Sequence, residues 1–200
     1  MSREQVIEAA MRVVQTGGYQ AMTIRSLAAE LGVAPMSLYR HVQDKDDLLT
    51  EVVDRLLAGS WRPRRRPSDW RAWTAEAAER FRQFLVDQPA ALHVYLLGPV
   101  VSATALARME AVLQVLQAAG LDEERAWHAY AALQTYTIGF AALQTSRRRT
   151  AGRRDVLVEQ LAASASTAQF SVGLRYLLEG IERDVGALPE AAPAPVGAAP

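Results

Sequence analysis

Two short helix-compatible runs meet at Gly32, and this corner limits the N-terminal architecture more than any other feature of the 200 residues. In "TIRSLAAELG" the residues Ile24, Leu27, Ala28 and Leu31 recur at three- and four-residue intervals, the spacing of one apolar helix face. Thr23 stands where an N-cap belongs. Gly32 tolerates the positive φ that a tight helical corner demands. Pro35 suits the first position of the next short helix, where its missing N–H is harmless. The pattern is that of a helix-turn-helix over residues 23–42. Its first helix packs Leu27, Ala28 and Leu31 inward, and Val33 and Leu38 anchor the second from below. Pro35, Met36, Ser37 and Arg40 are left facing outward, free to enter a DNA major groove about 12 Å wide.

The same periodicity continues along the chain. Ser2 and Gln5 are spaced as a capping box, followed by Val6, Ile7, Ala10, Met11, Val13 and Val14 on one stripe, with Gly17-Gly18 expected to stop that helix. Asp44 caps a fourth helix, with Asp47 in its first turn, running through Leu48, Leu49, Val52, Val53, Leu56 and Leu57 to Gly59. "SWRPRRRPSDW" is a connection. Ser68 or Asp69 caps a fifth helix to about Asp87, and a short piece follows, broken at Gly98-Pro99. Another helix places Leu106, Met109, Val112, Leu113 and Leu116 on one side and stops at Gly120. Asp122 caps a long apolar helix to about Ser146. "RRRTAGRR" reads as a solvated loop, and a last helix covers about Asp155 to Val185. The Pro/Ala/Gly-rich residues 187–200 are expected to be disordered. No alternating strand pattern appears. The expectation is an all-α protein of about nine helices: residues 1–46 form a three-helix unit and 47–186 a larger helical domain.

Composition removes several function classes. The absence of cysteine excludes disulfides, zinc-thiolate sites and cysteine catalysis. A net charge of zero requires any basic footprint to be local. No secretory signal is visible, and "WHAYAALQTYTIGFAAL" is short and interrupted for a membrane span. The expectation is a cytoplasmic protein with no membrane partner. There is no Ser–His–acid arrangement, phosphate-cradling glycine loop or metal-spaced cluster, so no enzyme, metal or cofactor is expected. His93 and His128 read as core or rim histidines.

"T-I-R-x-L-A-x-x-L-G-V" followed by "S-L-Y-R-H-V-x-x-K-x-x-L-L" resembles the N-terminal DNA-binding domain of the tetracycline repressor (TetR) family of transcriptional regulators. The likeness spans about residues 3–58. It implies that Tyr39, His41 and Lys45, the only lysine in the chain, clamp phosphates. By the same likeness Thr23 and Arg25 sit where the first helix of the motif meets the backbone or the adjacent base edge, and Pro35, Met36, Ser37 and Arg40 fill the base-reading face. Ala34 stands where many members carry Ser or Thr, so the recognition helix lacks that side-chain cap. Arg25, Arg40 and Lys45 must share one face, with Glu30, Asp44, Asp46 and Asp47 turned away. The arginines Arg62, Arg64, Arg65 and Arg66 are read as a solvated connection.

"SDWRAW", the Gly-Leu-Asp junction and "Y-T-I-G-F" are similar to the C-terminal domain of the tetracycline-repressor subgroup. There a drug–magnesium chelate binds inside the helical bundle. By this alignment the metal-anchoring histidine becomes Tyr95 and polar drug contacts become Val112, Ala77 and Trp61. The implied effector is therefore a more apolar or aromatic small molecule, with Trp61, Phe81, Tyr95, Met109, Trp127, Tyr130 and Gln134 as pocket candidates. The last two long helices resemble the pair that meets its twofold mate, with Ala131, Ala132, Gly139, Ala142, Val172 and Gly173 small enough for close approach. A homodimer on double-stranded operator DNA follows, since two recognition helices must sit about 34–36 Å apart. The expected function is a repressor that a small molecule releases from a palindromic operator. The alternatives are an activator or a ligand-independent DNA-binding protein.

Overall fold

The computed structural model describes residues 1–42, 44–60, 69–98, 100–148 and 165–186. Among them are eight α-helices, one 3-10 helix and no strand. In chain order these are α1 (Arg3–Ala21), α2 (Ile24–Leu31), the 3-10 helix η1 (Pro35–Arg40), α3 (Lys45–Ser60) and α4 (Trp70–Asp87). There follow α5 (Pro89–Leu97), α6 (Ala103–Ala118), α7 (Glu123–Arg148) and α8 (Thr167–Gly186).

Local chemistry sets most helix ends where the sequence places them. Ser2 Oγ accepts from the Gln5 N–H while Gln5 Oε1 accepts from the Ser2 N–H at 2.8 Å, a closed capping box. Thr23 and Ser26 form another. Asp44 accepts from the Asp47 N–H at 2.7 Å, Asp69 from Arg71 and Ala72, and Asp122 from Arg125. At the corner Gly32 lies at φ 66, ψ 32, and the Val33 N–H reaches back to the Ala28 carbonyl at 3.0 Å, satisfying the end of α2.

Three expectations are corrected, and the short helix expected after Pro35 is given its type. Gly17-Gly18 does not stop α1: Gly18 (φ 74, ψ 173) kinks it, and helical turns resume to Ala21. There a Cβ on Gly17 would lie 2.6 Å from that of Ala21, so the kink is packed tightly. The recognition segment is a 3-10 helix, because six residues without a side-chain cap at Ala34 close more readily through i→i+3 bonds. Arg147 and Arg148 continue α7 instead of opening a loop; the remainder of that arginine-rich stretch lies outside the described residues. The last helix begins at Thr167, where Ser166 Oγ accepts from the Gln169 N–H at 3.2 Å. Ala165 and Ser166 are non-helical, and residues 155–164, Arg62–Arg66 and the 187–200 tail lie outside the described residues.

The α1–α3 unit does not have a core of its own. Val6, Ile7, Leu27, Leu38, Leu48 and Val52 are continuous with Phe81, Leu85, Ala91 and Ala141 of the larger half. A boundary after residue 46 therefore falls in the first turn of α3, whose Leu49, Val53 and Leu57 belong to that shared core. Tyr19 at the kinked end of α1 stacks on His93 of α5, ring centroids 4.3 Å apart. His128 is exposed on α7. A second core lies between α4, α6, α7 and α8 around Leu116, Ala126, Phe170 and Leu174.

Gly173 of α8 fits against Tyr136 of α7, within one chain. The Tyr136 ring stacks on Phe170 at 5.1 Å, and its hydroxyl donates to the Phe170 carbonyl at 2.9 Å. A Cβ on Gly173 would meet the Tyr136 Cζ at 2.8 Å. Gly173→Ala should therefore destabilise the fold by about 1–3 kcal/mol through overpacking, despite the better helix propensity of alanine. Thermal unfolding of the variant checks this.

Candidate functional site

The helix-turn-helix side chains are presented by a short, firmly seated rod. Leu38 is fully buried beneath η1. With three residues per turn, Pro35, Leu38 and His41 share one side, Met36 and Tyr39 a second, and Ser37 and Arg40 a third. Met36 is 76% exposed and Tyr39 56%, so the second side is an apolar-aromatic edge open to solvent. Pro35 and Arg40 are exposed, while Ser37 and His41 are half-buried. The His41 N–H closes the helix on the Leu38 carbonyl at 2.8 Å. Thr23 and Arg25 are exposed at the start of α2, and Lys45 at the start of α3.

Charge at this end is sorted by pairing. Arg12 takes Glu30 at 2.7 Å, and Arg3 takes Asp47 at 3.3 Å and Glu51 at 3.4 Å. Arg55 grips both oxygens of Glu4, which holds that carboxyl below the usual carboxylate range through the side-chain hydrogen bond. Asp44 is occupied as a cap. Among the described residues Arg25, Arg40 and Lys45 have no acidic partner within 4.0 Å. The exposed pairs add little stability, each about 0–1 kcal/mol. Their consequence is that Glu30 and Asp47 are engaged by other arginines while these three cations remain available for phosphate.

A cavity lies in the larger half, walled by α4, α6 and α7. Thr74, Ala77, Ala78 and Phe81 come from α4, Arg108 and Val112 from α6, and Tyr130, Leu133, Gln134 and Thr137 from α7. The cavity inside this wall is about 20 Å³, room for roughly one water. Of the residues expected in a pocket, Phe81, Tyr130 and Gln134 line it. Tyr95 lies beside it, buried, its ring edge-on to Phe81 at 5.1 Å. Met109 is half-buried in the second core, and Trp127 is 44% exposed with its ring edge-on to Tyr130. Trp61 lies outside the described residues. Val112 and Ala77, where the subgroup alignment expects polar drug contacts, form apolar wall.

The residue at the centre is one that sequence reasoning missed. Arg108 is 5% exposed, its guanidinium 3.9 Å from the Phe81 ring centroid. It donates to Gln134 Oε1 and, at 3.3 Å, to the Tyr130 hydroxyl, which itself donates to the same Gln134 oxygen. Burial pushes the Tyr95 and Tyr130 phenols up in pKa, with the Arg108 charge acting in the opposite direction. The stripe assigned to α6 holds at Val112 and Leu116 but is rotated at its start: Ala105 and Arg108 face inward, Met109 and Leu113 are half-buried and Leu106 is 40% exposed. The signal was an arginine at i+3 and i−4 from two small apolar residues. Asp54 was also missed. Its Oδ1 accepts from the Ser102 hydroxyl at 2.5 Å and the Thr104 N–H at 3.0 Å, tying α3 to the first turn of α6.

A helix-turn-helix head fused through a shared core to a helical body with an internal cavity defines a DNA-binding transcriptional regulator. Residues 6–52 match the profile of the bacterial regulatory proteins of the tetR family, and residues 62–185 match that of the tetracyclin repressor-like C-terminal domain. The chain belongs to the TetR family, whose members are transcriptional regulators and not enzymes. It is 28% identical over 204 residues to an HTH-type transcriptional regulator of Saccharopolyspora erythraea, covering 93% of this chain and 86% of that one. It is 29% identical to the HTH-type transcriptional repressor DrrR1 of Streptomyces coeruleorubidus, covering 91% and 77%. Against the tetracycline repressor protein class C of Escherichia coli the figures are 28%, 90% and 83%. The fold superposes on the Streptomyces coelicolor TetR family protein ActR in complex with actinorhodin with a TM-score of 0.78, at 23% identity, covering 94% and 99%. Among the described residues no helix is long and apolar enough to cross a membrane.

Proposed function

We propose that the chain is a cytoplasmic, homodimeric repressor that holds a palindromic operator until a small molecule enters the α4–α6–α7 cavity and releases it. The observation that carries this reading is the mechanical line from cavity to head. Arg108 lies one turn along α6 from Thr104; Thr104 and Ser102 hold Asp54 of α3; and α3 begins at Lys45 beside the recognition helix. A ligand that displaces the Arg108 head-group shifts α6, and Asp54 passes the shift to α3. The ligand must bind the released form more tightly, by about 1–3 kcal/mol or more. Curated relatives that are repressors support the sign of regulation.

The dimer reading rests on an uncovered strip. Ala131, Ala132 and Gly139 are exposed along α7, with Leu143 54% exposed, and Tyr176 on α8 is 62% exposed. A ligand-independent regulator would have a finished core; here Thr74 Oγ1 and Arg108 Nε are buried without a hydrogen-bond partner, which favours a ligand.

Selecting bound DNA from a random pool, then adding compounds to the complex, tests the whole reading. Recovery of no palindrome would overturn it. On the recovered operator, Arg40→Ala should flatten base preference, a guanine contact being worth about 1–3 kcal/mol. Lys45→Ala should weaken all sequences alike and lower the salt slope by about one. Identical sequence profiles for the two variants would refute the division of roles.

A further inference from the structure

Arg108 is a buried cation without a counter-ion. It is 95% withdrawn from solvent by its 5% exposure, and among the described residues no carboxylate lies within 4.0 Å of it. Its neighbours are the Gln134 oxygen, the Tyr130 hydroxyl, the face of Phe81 and the Tyr95 phenol, all neutral. Its Nε has no hydrogen-bond partner, and neither has the Thr74 hydroxyl, 2% exposed on the same cavity wall. Arginine stays protonated inside proteins, so burial cannot be relieved by losing the charge. An unpaired buried charge is strongly unfavourable, and a paired, hydrogen-bonded one is not.

We propose that this site takes an organic anion: a flat aromatic molecule bearing a carboxylate or acidic phenol, which parts α4, α6 and α7 as it enters the water-sized cavity and whose anionic oxygen pairs with the Arg108 guanidinium. The aromatic body lies against Phe81 and between the apolar walls Ala77, Val112 and Leu133. The anion takes over the guanidinium N–H groups now turned to Gln134 and the idle Nε, and the Thr74 hydroxyl donates to it as well. This inference rests on the effector reading above and narrows the apolar or aromatic class to its acidic members. A neutral aromatic would leave the cation unpaired and gain only area; a cationic one would be repelled.

The test uses the full chain without DNA and four probes: 2-naphthoate, anthraquinone-2-carboxylate and the two corresponding carboxamides. Binding is read by calorimetry. At least one acid should bind about 30-fold or more tightly than its amide, as expected when one partner of a buried charge pair is removed. In Arg108→Met, which keeps an unbranched apolar stem and removes the charged head-group, that preference should vanish. The thermal midpoint of this variant should equal or exceed that of the unaltered chain, since an unpaired buried cation is gone. Equal or tighter binding of the amides, binding of none of the four, or an acid preference that survives Arg108→Met would overturn the proposal. Operator release, measured separately, distinguishes the two levels. An acid that binds through Arg108 without releasing operator refutes the release mechanism alone. Release by neutral compounds only refutes the anion site and leaves the regulator intact.

Discussion

Gly139→Arg should abolish operator binding while leaving the protomer folded. The position is exposed on α7, and a Cβ there meets nothing within 4 Å, so the protomer has room for the side chain. Replacing a mid-helix glycine also adds about 0.5–1 kcal/mol of helix stability. In the proposed dimer the cost falls on the partner. Ala131, Ala132 and Gly139 form a strip on which another helix can approach closely, and an arginine at its centre places like charges face to face across a twofold axis. A lone head has one six-residue recognition helix. Its affinity should fall toward non-specific values, a loss of about 10³-fold or more. Sedimentation should show a monomer, circular dichroism an unchanged helix content, and anisotropy no operator complex at concentrations that saturate the parent. A variant that remains dimeric would remove this strip of α7 from the interface.

Leu38→Ala should have the next largest effect. Leu38 is 0% exposed, and η1 has neither length nor a side-chain cap to hold it together alone. Truncating the leucine removes the one buried side chain of η1, the element that packs on α2. The expected cost is about 2–5 kcal/mol, read by denaturant unfolding, with operator affinity lost together with it. Met36→Ala, on the open side of the same rod, should change stability by no more than about 0.5 kcal/mol and alter base preference only. Equal destabilisation by both would mean the recognition helix is not anchored through Leu38.

The contrast between these residues shows where sequence was sufficient. Caps, the Gly32 corner and the apolar stripe of α2 depend on neighbours within four residues. Thr23, Asp44, Asp69 and Asp122 therefore declare their helices directly. The outward set Pro35, Met36 and Arg40 follows from the same short-range pattern once Leu38 is given the inward position. Even here the residue string did not distinguish a 3-10 turn from an α turn, since both bury one residue in three or four.

The body was less legible because its helices are apolar on more than one side. On α6, Leu106, Met109, Val112, Leu113 and Leu116 offer an inward stripe, yet packing against α4 and α7 keeps Val112 and Leu116 and turns Ala105 and Arg108 inward with them. Choosing between the two faces needs the positions of helices up to some thirty residues away in the chain. The sequence by itself determined an all-helical chain, the helix-turn-helix and the side chains it holds outward, because those are set by local hydrogen bonds and spacing. Only the tertiary structure decided that Arg108 is buried in the cavity, that Asp54 ties α3 to α6 and that Gly173 belongs to Tyr136. Each of these depends on which surfaces meet when distant helices exclude water between them.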